Sequence, residues 1–283
     1  MIFSLELPSD DQYRDFQTLA LNKLGLSLGN DKAYLLRGRL QRRMTTLGIN
    51  NYGDYLELIM ASSGAEELQH FINAITTTKT DFFREREHFD WLSQDIFPKL
   101  KKSLTGAPGQ KIRLWSAGCS SGQEAYSLAI TALEAFRDEL DSGLDLKILG
   151  TDINTDALAM ARSGAYPAEA LDSLSGLKRD IYFKRGNPPD DQLHCADKRL
   201  MQLIDFRQLN LLQQEYPIAT RFHVILCRNV FYYFDPIPRQ RVLERLSTYL
   251  VEGGWLVFSL TEIGYEIAGL VKIRGNLFQR RAS

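Results

Sequence analysis

The segment Leu114-Trp-Ser-Ala-Gly118-Cys-Ser-Ser-Gly122-Gln-Glu124 sets two glycines four residues apart, where an apolar strand-like run gives way to a helical pattern. Glycines at such a junction let a ligand approach the backbone, and a helix start offers free N–H groups. The next apolar run ends in Gly150-Thr-Asp152. A carboxylate at a strand end can accept both ribose hydroxyls of a nucleoside. The glycine spacing by itself also suits plain strand–helix packing; Asp152 favours the nucleoside. The loop is not Gly-x-Gly-x-x-Gly, its acid comes later than about 20 residues on, and it lacks a Walker lysine. A cofactor with a nucleoside but no phosphates fits, and S-adenosylmethionine is the common one. Glu124 could then meet its positively charged methionine end.

Other polar residues fall at the ends of apolar runs. Asn210-Leu211-Leu follows one, and Cys227-Arg228-Asn229-Val leads from another into Phe231-Tyr-Tyr233-Phe-Asp235. Ligands of open α/β sheets sit beyond the carboxyl ends of the strands. Each of these residues alone is an ordinary cap or surface residue; together they mark one sheet edge.

The elements that must position them alternate. Strand-like runs at 112–117, 146–151, 203–206, 222–227 and 255–260 are separated by helical patterns at 123–140, 155–163 and 236–250. That alternation predicts βαβ units around a parallel sheet covered on both faces. Gly253-Gly254 reads as the turn into the last strand. Residues 165–206 are too long for a connecting loop. The cluster Gly186-Asn-Pro-Pro-Asp-Asp191, flanked by Tyr182-Phe-Lys and Leu193-His-Cys, predicts an inserted β-hairpin there. Before residue 77 the pattern is helical throughout: 10–24, 32–47, 52–61 and 65–75. The expected organisation is a helical domain over 1–76 and an α/β domain over 77–283, with the small β-subdomain inserted at roughly 165–206.

Composition bounds the rest. The 283 residues are 44% hydrophobic and 24% charged, with net charge −1, which fits a globular chain and argues against a nucleic-acid partner. Three scattered cysteines make neither a disulfide framework nor a zinc site, so no metal is expected. No signal peptide and no apolar run of about 18 residues is present, so a cytoplasmic protein without membrane insertion is expected.

The sequence resembles the CheR-type chemotaxis receptor glutamate methyltransferases over nearly its whole length. The segments that carry the resemblance are Thr76-Thr-Thr-Lys-Thr-Asp-Phe-Phe-Arg-Glu85, Trp115 to Glu124, Thr151-Asp-Ile-Asn154, Ala161-Arg-Ser-Gly-Ala-Tyr166 and Cys227 to Asp235. The resemblance implies a Rossmann-like methyltransferase domain with an N-terminal all-helical domain. It implies methyl transfer from S-adenosylmethionine to glutamates of chemoreceptor cytoplasmic helices, leaving S-adenosylhomocysteine. It puts Thr80 and Arg84 at the cofactor's methionine end, Glu124 and Asp152 as acidic contacts, and Asn210, Leu211, Arg228 and Asn229 around the adenosine. Thr78 and Gly118 join the cofactor-contacting set, and Tyr233 stands near the methyl group. The family often has asparagine at Thr78, Glu-Glu-Pro at Gln123-Glu124-Ala125 and Gly-His-Ser-Glu at Ser259-Leu-Thr-Glu262. Some members bind a receptor tether peptide at glycines of the inserted hairpin. Here Pro188 and Gln192 stand in that turn, and strong tether binding is not expected.

A glutamate side chain is already ionised at neutral pH, so the reaction needs no general base. That agrees with the lack of a nucleophile constellation; the four histidines read as structural or surface residues. Arg84 and Tyr233 are the expected catalytic pair, by carboxylate pairing and by a cation–π contact. On the helix at 32–47, Lys32, Arg39 and Arg43 fall within about 40° of one another, with Arg42 on the same flank. The resemblance favours this as a docking face for an acidic receptor helix, with the protein acting as a monomer. A methyltransferase of the same fold with another acceptor, and a non-catalytic module that keeps the cofactor as a ligand, stay open.

Overall fold

Four helices build the first domain, and each forms where its apolar spacing predicts. The computed structural model describes residues 6–29, 33–104, 109–186, 191–231, 234–262 and 264–281. Helix α1 (Asp10–Leu24) starts at a capping box in which Ser9 and Gln12 bond reciprocally, and it ends at Gly25 with φ 64°. It buries Tyr13, Phe16, Leu19, Ala20 and Leu24. Helix α2 (Ala33–Leu47) contributes Leu36, Leu40 and Met44. Helices α3 (Tyr52–Met60) and α4 (Ala65–Ile75) close the bundle. Phe16 is its hub, with the rings of Tyr52, Tyr55 and Phe71 at 6.0, 6.4 and 5.5 Å.

The basic face expected on α2 is not a set of free cations. Arg43 turns into the bundle, where its Nε donates to both oxygens of the buried Glu67 at 3.0 and 3.1 Å. The Tyr55 hydroxyl donates to the same carboxylate at 2.7 Å. A buried carboxylate needs these donors more than a solvated arginine needs exposure. Arg39 donates to the Ile75 carbonyl and, at 3.1 Å, to the Thr77 hydroxyl. Arg42 stays exposed, and Lys32 lies outside the described residues.

After a short helical run, α5 (Glu87–Trp91), a π-helical turn and α6 (Phe97–Ser103), the α/β domain begins. Strand β1 (Lys111–Ala117) leads to α7 (Gln123–Ala135) and α8 (Arg137–Asp141). The single helix expected at 123–140 breaks at Phe136, which is fully buried against Phe97 at 5.1 Å. Strand β2 (Asp145–Asp152) and α9 (Thr155–Ser163) follow. The insertion is a three-stranded antiparallel sheet in the order β3-β5-β4, from β3 (Ala165–Pro167), β4 (Phe183–Arg185) and β5 (Leu193–Ala196). It carries the short helices α10 (Gly176–Tyr182) and α11 (Lys198–Leu203). The turn with Pro188 lies outside the described residues.

The main sheet runs β6-β2-β1-β7-β8-β10-β9. It adds β6 (Ile204–Gln208), β7 (Phe222–Leu226) and β8 (Leu250–Val257), with α12 (Pro236–Thr248) between the last two. Its first five strands are parallel. Alternate residues of each strand enter two different cores: Leu114, Val224 and Leu226 pack with α7, and Trp115, Ile225 and Cys227 with α12. The sheet ends in a hairpin of β9 (Leu270–Arg274) and β10 (Leu277–Arg280), antiparallel to β8, which the sequence did not announce. Gly253-Gly254 is not the turn before β8. It lies inside the strand, where Gly253 has φ 71° and the pairing with β7 shifts register.

Two seams join the domains. At the first, Asn154 caps α9 and donates to the Asn73 carbonyl (3.1 Å) and the Thr76 hydroxyl (2.8 Å). Asn73 in turn bonds the Thr155 hydroxyl (2.8 Å) and its N–H (3.0 Å). At the second, Asn210 donates to the Lys23 carbonyl at 2.8 Å, and Leu26 forms an antiparallel bridge with Phe234.

Burial pushes the Glu67 carboxyl up, but the hydrogen bonds from Arg43 and Tyr55 and the charge of Arg43 outweigh it and hold the group below the usual range. Its stabilisation is therefore complete above about pH 4.3 and is lost as pH falls through the lower folded value. Arg43→Glu is expected to cost about 2–4 kcal/mol, since it removes the partner of a buried carboxylate and adds a like charge. Urea unfolding tests this: an unchanged midpoint in the variant would show that the pair contributes nothing.

Candidate active site

Five parallel strands in the order β6-β2-β1-β7-β8 reverse direction of winding between β1 and β7. A crevice must open at that point, beyond the carboxyl ends of the strands. A cavity of about 220 Å³ lies there, roofed by the helical domain. Gly118, Ser120 and Glu124 line it after β1, Asp152 and Ile153 after β2, Leu209 to Leu211 after β6, and Arg228 to Val230 after β7.

The glycines serve the fold more than the ligand. Gly118 has φ 82°, and a Cβ there would lie 2.4 Å from the Val230 side chain. Gly122 has φ 96°, and a Cβ would meet Ala161 and the Tyr166 hydroxyl at 2.9 Å. The packing explanation of their spacing is therefore correct for Gly122, while Gly118 both packs on Val230 and lines the cavity. The loop is tied down by N–H bonds from Gly118 and Cys119 to the Thr151 carbonyl at 2.7 and 2.8 Å.

Asp152 behaves as a strand-end acceptor. One carboxylate oxygen takes the Ser120 N–H at 2.7 Å and the other takes the Asn154 N–H at 2.9 Å. The Ile153 N–H is a third backbone donor to this carboxylate, which leaves it limited acceptor capacity for a ligand. Burial pushes its carboxyl up, opposed by the backbone N–H bonds. Glu124, in the first turn of α7, is also buried. It accepts from the Ser116 hydroxyl at 2.6 Å and stands 3.4 Å from Nη1 of Arg228. Burial raises its carboxyl as well, with Arg228 and Ser116 opposing. A ligand bringing a diol or a cation to these two acids would favour their ionised forms.

Nine of the ten residues expected at a cofactor line this one cavity: Thr80, Arg84, Gly118, Glu124, Asp152, Asn210, Leu211, Arg228 and Asn229. Thr78 does not; its carbonyl accepts from the Ser120 hydroxyl at 2.7 Å and so holds the interdomain segment against the loop. Arg228 pairs with Glu124 and Glu85, so its contacts are with the acidic cluster rather than with Asn210 and Leu211. Arg84 donates to the Lys79 carbonyl at 3.0 Å, which leaves other guanidinium N–H groups unspent. Phe82 packs edge-on against Tyr166 and Phe183 of the insertion, and Phe83 against Phe89. That pair of rings fixes the backbone from which Arg84 projects. Tyr233 lies outside the described residues.

Three features escaped the sequence reading. The first is the helical-domain wall, in which Tyr13, Leu24, Leu26, Leu28, Leu36 and Arg39 face the cavity. Arg39 was expected on a docking face rather than at a cavity, and the apolar residues signal no ligand; the signal is the topology that folds α1 and α2 over the strand ends. The second is Glu262, which accepts N–H bonds from Ser259 (3.0 Å), Asn229 (3.2 Å) and Phe231 (2.8 Å) and so shapes the exit of β7. The third is Glu85, at the end of the Thr76-to-Glu85 segment.

The cavity thus offers a diol acceptor, apolar walls at Ile153, Leu209 and Leu211 for a flat heterocycle, a buried acid for a cation, and Arg84 for a carboxylate. An aminoacyl nucleoside cation without phosphates has those four groups. Comparison with known proteins agrees. The family described as the CheR methyltransferase all-alpha domain matches residues 11–76, and the CheR methyltransferase SAM binding domain matches residues 78–263. The chemotaxis protein methyltransferase of Borreliella burgdorferi is 33% identical over 244 residues, covering 86% of this chain and 85% of that protein. The Escherichia coli protein of the same name is 35% identical and covers 88% and 82%. Chemotaxis protein methyltransferase 2 of Pseudomonas aeruginosa is 38% identical and covers 80% and 77%. With both domains matched in order, the chain belongs to the CheR methyltransferase family, whose cofactor is S-adenosylmethionine.

Proposed function

We propose that this protein methylates glutamate side chains on the cytoplasmic helices of chemoreceptors, giving glutamate methyl esters. The observation that carries the reading is the cavity wall itself. Arg84 stands on it with donors to spare, and the described lining residues include no histidine or cysteine to take a proton. A glutamate side chain ionises near pH 4.3, so it arrives as a carboxylate and needs no such base.

S-adenosylmethionine supplies a methyl carbon on a sulfonium, open to in-line attack by a carboxylate oxygen. The chain's part is to hold and orient. Asp152 accepts the diol, Glu124 faces the cationic end, and Arg84 pairs a carboxylate. The helical domain forms one wall of the cavity. Rate enhancement then rests on positioning two reactants, with partial desolvation of the nucleophile. Docking of an acidic receptor helix falls to the exposed Arg39 and Arg42 on α2, since Arg43 is held by Glu67. On this reading the enzyme works in the cytoplasm, on the cytoplasmic helices of its receptors.

Asp152→Ala is expected to weaken S-adenosylhomocysteine binding by at least 100-fold, from two hydrogen bonds to a charged group at about 1.5–3 kcal/mol each. Calorimetry with unchanged affinity in that variant would remove Asp152 from the site. Incubation with methyl-labelled cofactor and receptor cytoplasmic fragments should label the fragments, and alkali should release the label as methanol. Label that resists alkali would mean a product other than an ester. In the same assay Arg84→Ala should cost turnover beyond any loss of thermal stability. A cation–π role for the Tyr233 ring predicts that Tyr233→Phe is mild and Tyr233→Ala severe; equal damage would assign the role to the hydroxyl.

A further inference from the structure

Glu85 contacts Arg228, Asn229 and Ser259 on the β7 side of the cavity, yet it is not part of the cavity wall. Phe83 and Glu85 both have left-handed backbones, φ 52° and 53°, on either side of Arg84. The Phe83 N–H donates to the Ser127 hydroxyl at 2.9 Å, and the Phe82 ring is buried, so this conformation is held from both sides. Arg84 lines the cavity while Glu85 turns inward. One oxygen of Glu85 accepts from the Ser259 hydroxyl at 2.6 Å and the Asn229 side-chain amide at 3.1 Å. The other accepts from the Leu260 N–H at 3.0 Å and stands 3.5 Å from Nη2 of Arg228. His88, fully buried, lies with Nδ1 at 3.3 Å from that same oxygen.

Arg228 and Asn229 do line the cavity, and they are the two residues that Glu85 grips. Arg228 is 4% exposed. Its Nη1 faces Glu124 and its Nη2 faces Glu85 and the Arg84 carbonyl. With both ends taken, Arg228 is not drawn toward a carboxylate entering the cavity, and Arg84 is left to meet it. Without the Glu85 charge, Arg228 would have Glu124 as its one carboxylate and would compete for the ligand's own. We propose that Glu85 is a positioning residue for the cofactor site, acting through Arg228 and Asn229 to set the charge that the cavity presents. This rests on the reading of the cavity as the S-adenosylmethionine site. Burial pushes the Glu85 carboxyl up, but the Ser259 and Leu260 donors and the Arg228 charge outweigh it, so the group is ionised at neutral pH.

The test is a double-mutant cycle read by calorimetry with S-adenosylhomocysteine as the probe, with thermal midpoints measured alongside. Glu85→Gln in the otherwise native chain should raise the dissociation constant at least tenfold. In an Arg228→Lys background the same change should cost less than threefold, because the residue through which Glu85 acts is already altered. Affinity within twofold of the unaltered protein, with a lowered midpoint, would reduce Glu85 to structural support and overturn the inference. Equal losses in both backgrounds would overturn it too. If Glu85→Gln does not fold, Glu85→Asp takes its place in the cycle with the same criteria. Failure of the unaltered protein to bind the probe would overturn the reading of the cavity itself, and this control tells the two failures apart.

Discussion

A guanidinium withdrawn from water is expensive unless carboxylates and carbonyls replace the solvent around it. Arg228 is such a group, and much of the site follows from it. It leaves β7 at the point where the winding of the sheet reverses. Its two carboxylate partners come from the first turn of α7 and from the segment that joins the domains. Its guanidinium plane lies over the Phe89 ring at 5.3 Å. Three parts of the chain that are distant in sequence are therefore fixed relative to one another by one buried charge. Glu262 does similar work in the opposite sign. A single carboxylate collects three backbone N–H groups around the same turn and lets Asn229 sit at φ 60°.

The helical domain is part of the site rather than an appendage to it. Its connection between α1 and α2 is pinned by the Leu26–Phe234 bridge, and its last helix is pinned by Asn73 and Asn154. The cavity lies between these two seams. Asn154 is tied to the chemistry from the other side as well, since its N–H reaches Asp152 while its side chain reaches Thr76. A residue that caps a helix thus holds the strand-end acid and the interdomain segment together.

Periodicity and strand-end residues made most of this legible. The four N-terminal helices follow apolar spacing almost to the residue. Of the nine cavity-lining residues, those after β1, β2, β6 and β7 stood out as residues at the ends of apolar runs, which converge in a doubly wound sheet, whereas Thr80 and Arg84 were reached through the family resemblance. What was hidden had a different kind of cause. β9 is an edge strand with mostly exposed residues, including Lys272 and Arg274, so it shows no apolar alternation. Gly253-Gly254 looks like a turn because a bulge and a turn need the same backbone freedom. Arg43 reads as a surface cation on its own helix; its carboxylate partner sits 24 residues later on another. The roof of the cavity is built from ordinary core residues, and only the packing of one domain on the other gives them a ligand to face.

That shared roof couples two equilibria. A molecule filling the cavity would lie against Leu26, Leu36 and Arg39 on one side and Asp152 and Arg228 on the other, and so would favour the docked arrangement of the domains over a separated one. By mass action, occupancy stabilises docking in proportion to the logarithm of free ligand over its dissociation constant. A ligand held there would therefore add to the two seams in holding the helical domain, which carries Arg42, against the sheet.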